Sequence, residues 1–240
     1  MTTPRRREPK MRQETIQRRQ DILRAALQTF GSRGYNKAPL TEIADQVDMT
    51  HAGILHHFGS KDRLLLEVLS YRDQTDVAHL ADQHIPDGIE LFRHLVRTAI
   101  LNSERAGIVQ AYAVLSAESV TDDHPAREFF EGRYKTLRGE VRHAFEIVCA
   151  ENGVTDRTSI DDAAAAILAV MDGLQVQWLL SPADVDLART TEFAIRAIVA
   201  GVISPQPSVL DAPAAAPAPP APREPFVSLG DSMSLGATPA

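Results

Sequence analysis

The sequence predicts an all-α protein of about nine helices, with an N-terminal three-helix helix-turn-helix unit joined to a larger helical body. Three observations lead there. Apolar residues recur with the period of a helix through most of residues 15–203. Between residues 10 and 203, proline occurs only at Pro39, Pro86, Pro125 and Pro182, each where such a pattern stops or restarts, as its missing N–H and fixed φ require. Strand-like alternation with turn chemistry is absent, as is any internal repeat.

Leu23, Ala26, Leu27 and Phe30 stand at i, i+3, i+4 and i+7 and define a first helix over residues 15–33, ending near Gly31 and Gly34. Short helices follow over 40–46 and 50–57, then a long connecting helix over 61–83 before the break at Pro86-Asp87-Gly88. Further helical patterns cover 87–104, 106–121, 125–152, 160–180 and 187–203. Ile167, Val170, Met171, Leu174 and Trp178 form one stripe. The last helix is apolar all round, so it is buried on every side, either by a second copy of the chain or by the core of its own subunit. Small residues at Ala197, Ala200 and Gly201 favour close approach of helices, and Ile167, Met171, Trp178, Ala194, Ala197, Ile198 and Gly201 are the candidate homodimer contacts.

At 240 residues the chain is long enough for one large domain or two small ones, and 44% apolar residues supply a core. A single cysteine, Cys149, excludes an intramolecular disulfide framework and a cysteine-based zinc cluster; its apolar neighbourhood reads as core. Charge breaks the apolar runs short of a membrane span, and no leader pattern follows Arg5, Arg6 and Arg7, so the expectation is a cytoplasmic protein without a membrane partner. Residues 1–63 hold 12 basic against 7 acidic side chains, while the remainder holds 13 against 25. A basic module on an acidic body fits a polyanion-binding end, though a solvated basic arm gives the same arithmetic. Nine of the 15 prolines fall in residues 204–240, a Pro/Ala-rich segment too poor in large apolar groups to pack, read as a disordered tail. The division is therefore a flexible basic arm over 1–14, the helix-turn-helix unit over 15–60, the body over 61–203, and the tail.

Within residues 40–57, a short amphipathic helix, a turn at Val47-Asp48-Met49 and a second helix capped by Thr50 have the layout of a helix-turn-helix. Ile43, Ala44 and Val47 face Ile54 and Leu55, small Ala44 lets the backbones approach, and Pro39 preorganises the first turn. Asp48 stands where a positive φ is expected. Residues 18–69 resemble the DNA-binding domain of the tetracycline-repressor (TetR) family, with Ile22, Ala26, Phe30, Gly34, Tyr35, Ile43, Ala44, Thr50, Ile54, His57, Phe58, Lys61 and Leu64 in register. They depart from it at Pro39, Asp48 and Leu55, where the family usually has Thr, Gly and Tyr; the last departure removes a hydroxyl that usually meets a phosphate. Beyond residue 70 the likeness reduces to helix count, a terminal helix pair and the stretch DGLQVQW at 172–178.

The resemblance implies that Thr41, Thr50, His51, Ala52 and Gly53 lie at the major groove of double-stranded DNA, a palindromic operator, and that His56, His57 and Lys61 face phosphates. Ser60 reads as the cap of the next helix, and Phe30, Tyr35 and Phe58 as core. The N-terminal arm either follows the backbone, enters a minor groove or stays solvated. Adjacent His56 and His57 diverge by about 100° on a helix and do not chelate one metal ion. With no nucleophile elbow, glycine-rich phosphate loop or metal spacing, the chain has no residues for an enzyme and none for a cofactor.

The acidic body then reads as a sensor and dimerisation domain with a small-molecule effector between its helices, as bundles place ligands. Tyr112, Phe129, Tyr134, Gln175 and Trp178 are the candidate lining, each equally an ordinary core or dimer residue. Two functions compete: a dimeric repressor released from its operator by a ligand, and a DNA-binding scaffold whose body only dimerises or docks a protein. A cavity with convergent polar groups favours the first and a solid core the second.

Overall fold

The structure, a computed structural model, describes residues 8–77 and 85–205. Nine helices occur among the described residues: α1 Glu8–Lys37, α2 Leu40–Gln46, α3 His51–Phe58, α4 Lys61–Val77, α5 Ile89–Ser103, α6 Ala106–Glu118, α7 Arg127–Glu151, α8 Ile160–Leu180 and α9 Leu187–Ile203. The expected basic residues 1–7, the connecting-helix residues 78–83 and the tail beyond residue 205 lie outside the described residues.

Helix α1 begins at Glu8, so residues 8–14 are helical, a correction to the flexible arm read from the sequence. The apolar stripe marks only the packed part of the helix, and the Lys, Arg, Gln and Glu residues before it are good helix formers that let it extend outward. At the other end Gly34 takes φ 72° and breaks the helical run, which turns Tyr35 inward.

One core joins the reader to the body. Ile22, Ala26, Phe30, Ile43, Ala44, Ile54, Leu64, Leu65 and Val68 pack together with Ala111, Tyr112 and Leu115 of α6. Contact between α1 and α6 is close because Gly31 carries no side chain: a Cβ there would lie 2.9 Å from Ala111 Cβ and 3.0 Å from its Cα. Kinked α1 is also tied by Tyr35 N–H, which donates to Glu118 Oε2 at 2.7 Å. A second core holds Phe92 of α5, Val141, Ala144, Phe145 and Cys149 of α7, Ile160, Ala164 and Ile167 of α8, and Ile195 and Val199 of α9. Cys149 is fully buried, as its apolar setting predicts.

Two expectations about α8 need correcting. It is long and apolar enough by composition to cross a membrane, contrary to the reading that no such helix exists, but Ile160, Ala164, Ile167, Leu168, Met171 and Leu174 are buried in the body, as in a core helix. Ile167 is 0% exposed and Met171 is buried too, so both belong to their own subunit's interior; a periodic stripe does not say which partner it faces. Within one subunit helix α9 is not buried all round, so the alternative that its own core covers every side does not hold. Ile195, Val199 and Val202 face the core, while Phe193 is 73% exposed and Ala197, Ala200 and Gly201 are open on the other side. Leu180 at the end of α8 is 80% exposed, and Val176 is exposed with it.

Candidate nucleic-acid interface and effector cavity

The helix-turn-helix is set by local chemistry. Glu42 N–H closes the first turn of α2 onto the Pro39 carbonyl at 3.2 Å, so the residue without a donor sits where none is needed. The turn is tied by Val47 N–H and Met49 N–H, which donate to the Ala44 carbonyl at 3.1 and 2.9 Å. Asp48 between them has φ 52°, the left-handed conformation that aspartate tolerates. Thr50 Oγ1 then accepts from Gly53 N–H at 3.1 Å and caps α3, and Ser60 Oγ accepts from Arg63 N–H at 3.1 Å to cap α4.

Burial sorts the α3 residues by face. Ile54 and Phe58 enter the core, with Phe30 and Tyr35 beside them, whereas Thr41, Thr50, His51, Ala52 and His56 are exposed and Gly53, His57 and Lys61 are half-buried. Ala52 and His56, one helical turn apart, share the outward face. A Cβ at Gly53 would lie 3.0 Å from Met49 Cε, so glycine keeps this part of the surface low. Lys61 Nζ stands 4.5 Å from the centre of the Tyr35 ring. Burial lowers its pKa, against the opposing pull of Asp62 and Glu118. Burial also pushes the His57 pKa down, helped by the charges of His56, Arg19 and Arg18.

Two arginines absent from the expected set hold this surface. Arg19 Nη1 donates to the His57 carbonyl at 2.8 Å, its other nitrogen pairs with Glu67, and its guanidinium lies 4.3 Å from the centre of the Phe58 ring. Arg18 Nη1 donates to the Val47 carbonyl at 3.1 Å. Both satisfy terminal carbonyls of α3 and of the turn, the groups a short helix leaves without partners. The signal was the Arg18-Arg19 pair just before the first apolar stripe, but charge alone does not show which carbonyls it reaches.

In the body, α4, α5, α6, α7 and α8 enclose a cavity of about 680 Å³, a volume typical of small-molecule sites. Leu91, Leu95, Phe129, Leu137, Val141, Leu168 and Met171 supply apolar walls. Polar lining includes Arg72 and Asp73 of α4, His94 and Asn102 of α5, Arg133 of α7, and Asp172 and Gln175 of α8, with Gln74, Thr98, Thr136, Glu128 and Glu140 beside them. These charges are organised. Arg72 Nη1 donates to Asp73 Oδ1 at 3.2 Å, Arg133 pairs with Asp73 Oδ2, and the Arg72 guanidinium lies 4.3 Å from the centre of the Tyr112 ring. Tyr134 Oη donates to Asp172 Oδ2 at 2.5 Å. Burial raises the Asp172 pKa, opposed by that bond and by Arg133 and Arg72; burial and the bond to Asp172 raise Tyr134 as well.

Of the lining expected from sequence, Tyr112, Phe129 and Gln175 reach the cavity. Tyr134 is not part of the lining and meets it through Asp172 and Tyr112, and Trp178 is outside the lining, half-buried farther along α8. Among the described residues no three His, Cys, Asp or Glu side chains gather to hold a metal ion.

Comparison with known proteins agrees with this geometry. Residues 22–68 match the family described as bacterial regulatory proteins, tetR family, and residues 90–203 match the C-terminal domain of BetI-type transcriptional repressors. A probable acrEF/envCD operon repressor of Escherichia coli is 26% identical over 186 residues, covering 72% of this chain and 81% of that protein. The structure of Salmonella enterica GusR superposes with a TM-score of 0.62 at 22% identity, over 78% of this chain and 95% of that one. A regulator from Saccharomonospora viridis in complex with choline gives 0.60 at 22% identity, over 75% and 94%. Helices α2 and α3 thus lie within the N-terminal match, and the cavity lining from α5 to α8 within the C-terminal one. The chain is a member of the TetR family, a non-enzymatic, DNA-binding transcriptional repressor of a family whose members respond to small molecules.

Proposed function

We propose that this repressor works in the cytoplasm as a homodimer on a palindromic operator and leaves it when a small molecule enters the body cavity. Support for the ligand-released reading over the scaffold reading comes chiefly from one observation, the cavity of about 680 Å³ with polar groups converging from α4, α5, α7 and α8. A protein serving only to dock or dimerise has no use for it.

Thr41, Thr50, His51, Ala52 and Gly53 meet base edges or the adjacent groove wall, and His56, His57 and Lys61 meet phosphates. The exposure of Thr41 on α2 and of Thr50, His51, Ala52 and His56 along α3, with Gly53, His57 and Lys61 half-buried beside them, favours this division. The dimer forms through the open face of α8 and α9, where exposed Leu180, Phe193, Ala197 and Gly201 join half-buried Trp178, Ala194 and Ile198. An apolar face of that kind is characteristic of an interface. A two-fold axis then sets two recognition helices about 34–36 Å apart, one turn of B-DNA. In the S. viridis relative a ligand is choline; the ligand here follows from this chain's own lining.

DNase footprinting with the intact protein on its own promoter region tests the reading. Protection of two inverted half-sites, lost on adding an effector, is the expected result. A footprint that no compound bound in the body relieves would favour the scaffold.

A further inference from the structure

We infer that Glu118, the last residue of α6 in the body, is a positioning residue for DNA binding: its carboxylate holds Tyr35, and Tyr35 holds Lys61 in place to meet a phosphate. The inference rests on the proposed reading of Lys61 as a phosphate contact and brings a residue of the body into DNA binding.

The joint is built from both sides. Where α1 breaks at Gly34, the Tyr35 N–H donates to Glu118 Oε2 at 2.7 Å, across 83 residues of chain. Residue 34 has to be glycine for this, since its φ is 72° and a Cβ there would collide with Glu118 Oε1. The carboxylate does for the broken helix what a capping side chain does, accepting an N–H at the start of a turn, but it comes from another element. Buried His124 meets both partners: its ring stands edge-on to Tyr35 with centres 5.3 Å apart, and its Nε2 is 3.9 Å from Glu118 Oε2.

Tyr35 in turn carries the first two residues of α4. Its hydroxyl donates to Asp62 Oδ1, and Lys61 Nζ lies 4.5 Å from the centre of its ring, within cation–π range. Tyr35 is 8% exposed and packs against Phe30, so the platform under Lys61 is fixed. A long side chain resting on a fixed ring loses less conformational freedom when a phosphate arrives. Burial lowers the Lys61 pKa and the charges of Asp62 and Glu118 oppose it, so the same carboxylate favours the ammonium form. Without Glu118 the Tyr35 N–H loses this acceptor, and the backbone that carries the ring loses its tie to the body.

A double-mutant cycle on the intact protein tests this, with binding of a fluorescent promoter-region duplex and of a scrambled duplex read at several salt concentrations. Glu118→Ala should weaken binding to both about tenfold and flatten the salt dependence by about one unit, as Lys61→Ala should. In the Lys61→Ala background the same change should weaken binding less than about twofold, because no lysine is left to position. Glu118→Gln, which keeps an oxygen for the Tyr35 N–H, should bind within about threefold of the unaltered protein. Glu118→Asp, which draws the carboxylate back by one methylene, takes the place of the alanine variant if that one does not fold. Losses that add to those of Lys61→Ala, an unchanged salt slope, or a glutamine variant as weak as the alanine one would show a role in stability alone and overturn the inference while the Lys61 reading stands. Lys61→Ala without effect on either duplex would reject that reading, and this inference with it.

Discussion

Lys61 and His57 carry the sharpest expectations at the level of single residues. On the proposed reading Lys61→Ala removes one charge that meets a phosphate, so it should weaken binding to every DNA sequence alike and flatten the dependence of log affinity on log salt by about one unit. Titration of operator against a scrambled duplex at several salt concentrations checks both parts. For His57 the sign follows from linkage. Burial and neighbouring cations hold its pKa below the ordinary histidine value of about 6.5 in the free protein, and the phosphates it meets on the proposed reading would favour the charged form in the complex. The complex therefore binds more protons, and operator affinity should rise as pH falls through the pKa of the complex, levelling off below that of the free protein. His57→Gln should flatten this rise; an unchanged pH profile in the variant would assign the effect elsewhere. Much of this surface was legible in sequence because caps and turns are local: Thr50, Asp48 and Ser60 each act within three residues of themselves. Arg19 was not, because its target carbonyl is 38 residues away.

Between helices, the closest joint is α1 against α6 at Gly31 and Ala111. Tyr112, next to Ala111 on α6, lines the cavity, so one short segment touches both the reader's first helix and the cavity of the body. Gly31→Ala forces a methyl group into a 2.9 Å contact and should cost about 1–3 kcal/mol in chemical denaturation. Ala111→Gly should restore part of that loss, giving a coupling energy in the double-mutant cycle, whereas strictly additive losses would mean the two residues do not meet. Helix positions were readable from periodicity, as the agreement over 160–180 and 187–203 shows, but periodicity does not name the partner of a stripe. Hence Ile167 and Met171 were misplaced at a subunit face, and Trp178 in the cavity. The ion-pair cluster was invisible for the same reason: Arg72, Asp73, Arg133 and Asp172 come from three helices separated in sequence, and only packing brings them together.

At the scale of the whole molecule, the proposed function joins a two-fold DNA reader to a ligand-holding body. The open apolar face of α8 and α9 should make the dimer, so Phe193→Glu with Leu180→Glu should give a folded monomer by sedimentation with operator affinity reduced by more than 100-fold; a dimer of unchanged stability would move the interface elsewhere. Ligand and DNA are coupled reciprocally: a compound that weakens operator binding 100-fold binds about 100-fold less tightly to the DNA-bound dimer, a coupling of roughly 2.7 kcal/mol. The most direct test of the central claim is to titrate a cavity-binding compound into the protein with and without saturating operator DNA, reading its affinity by calorimetry. The compound should bind the free dimer markedly more tightly than the DNA-bound one, by the factor by which it weakens operator binding. Equal affinity in the two titrations would contradict that claim.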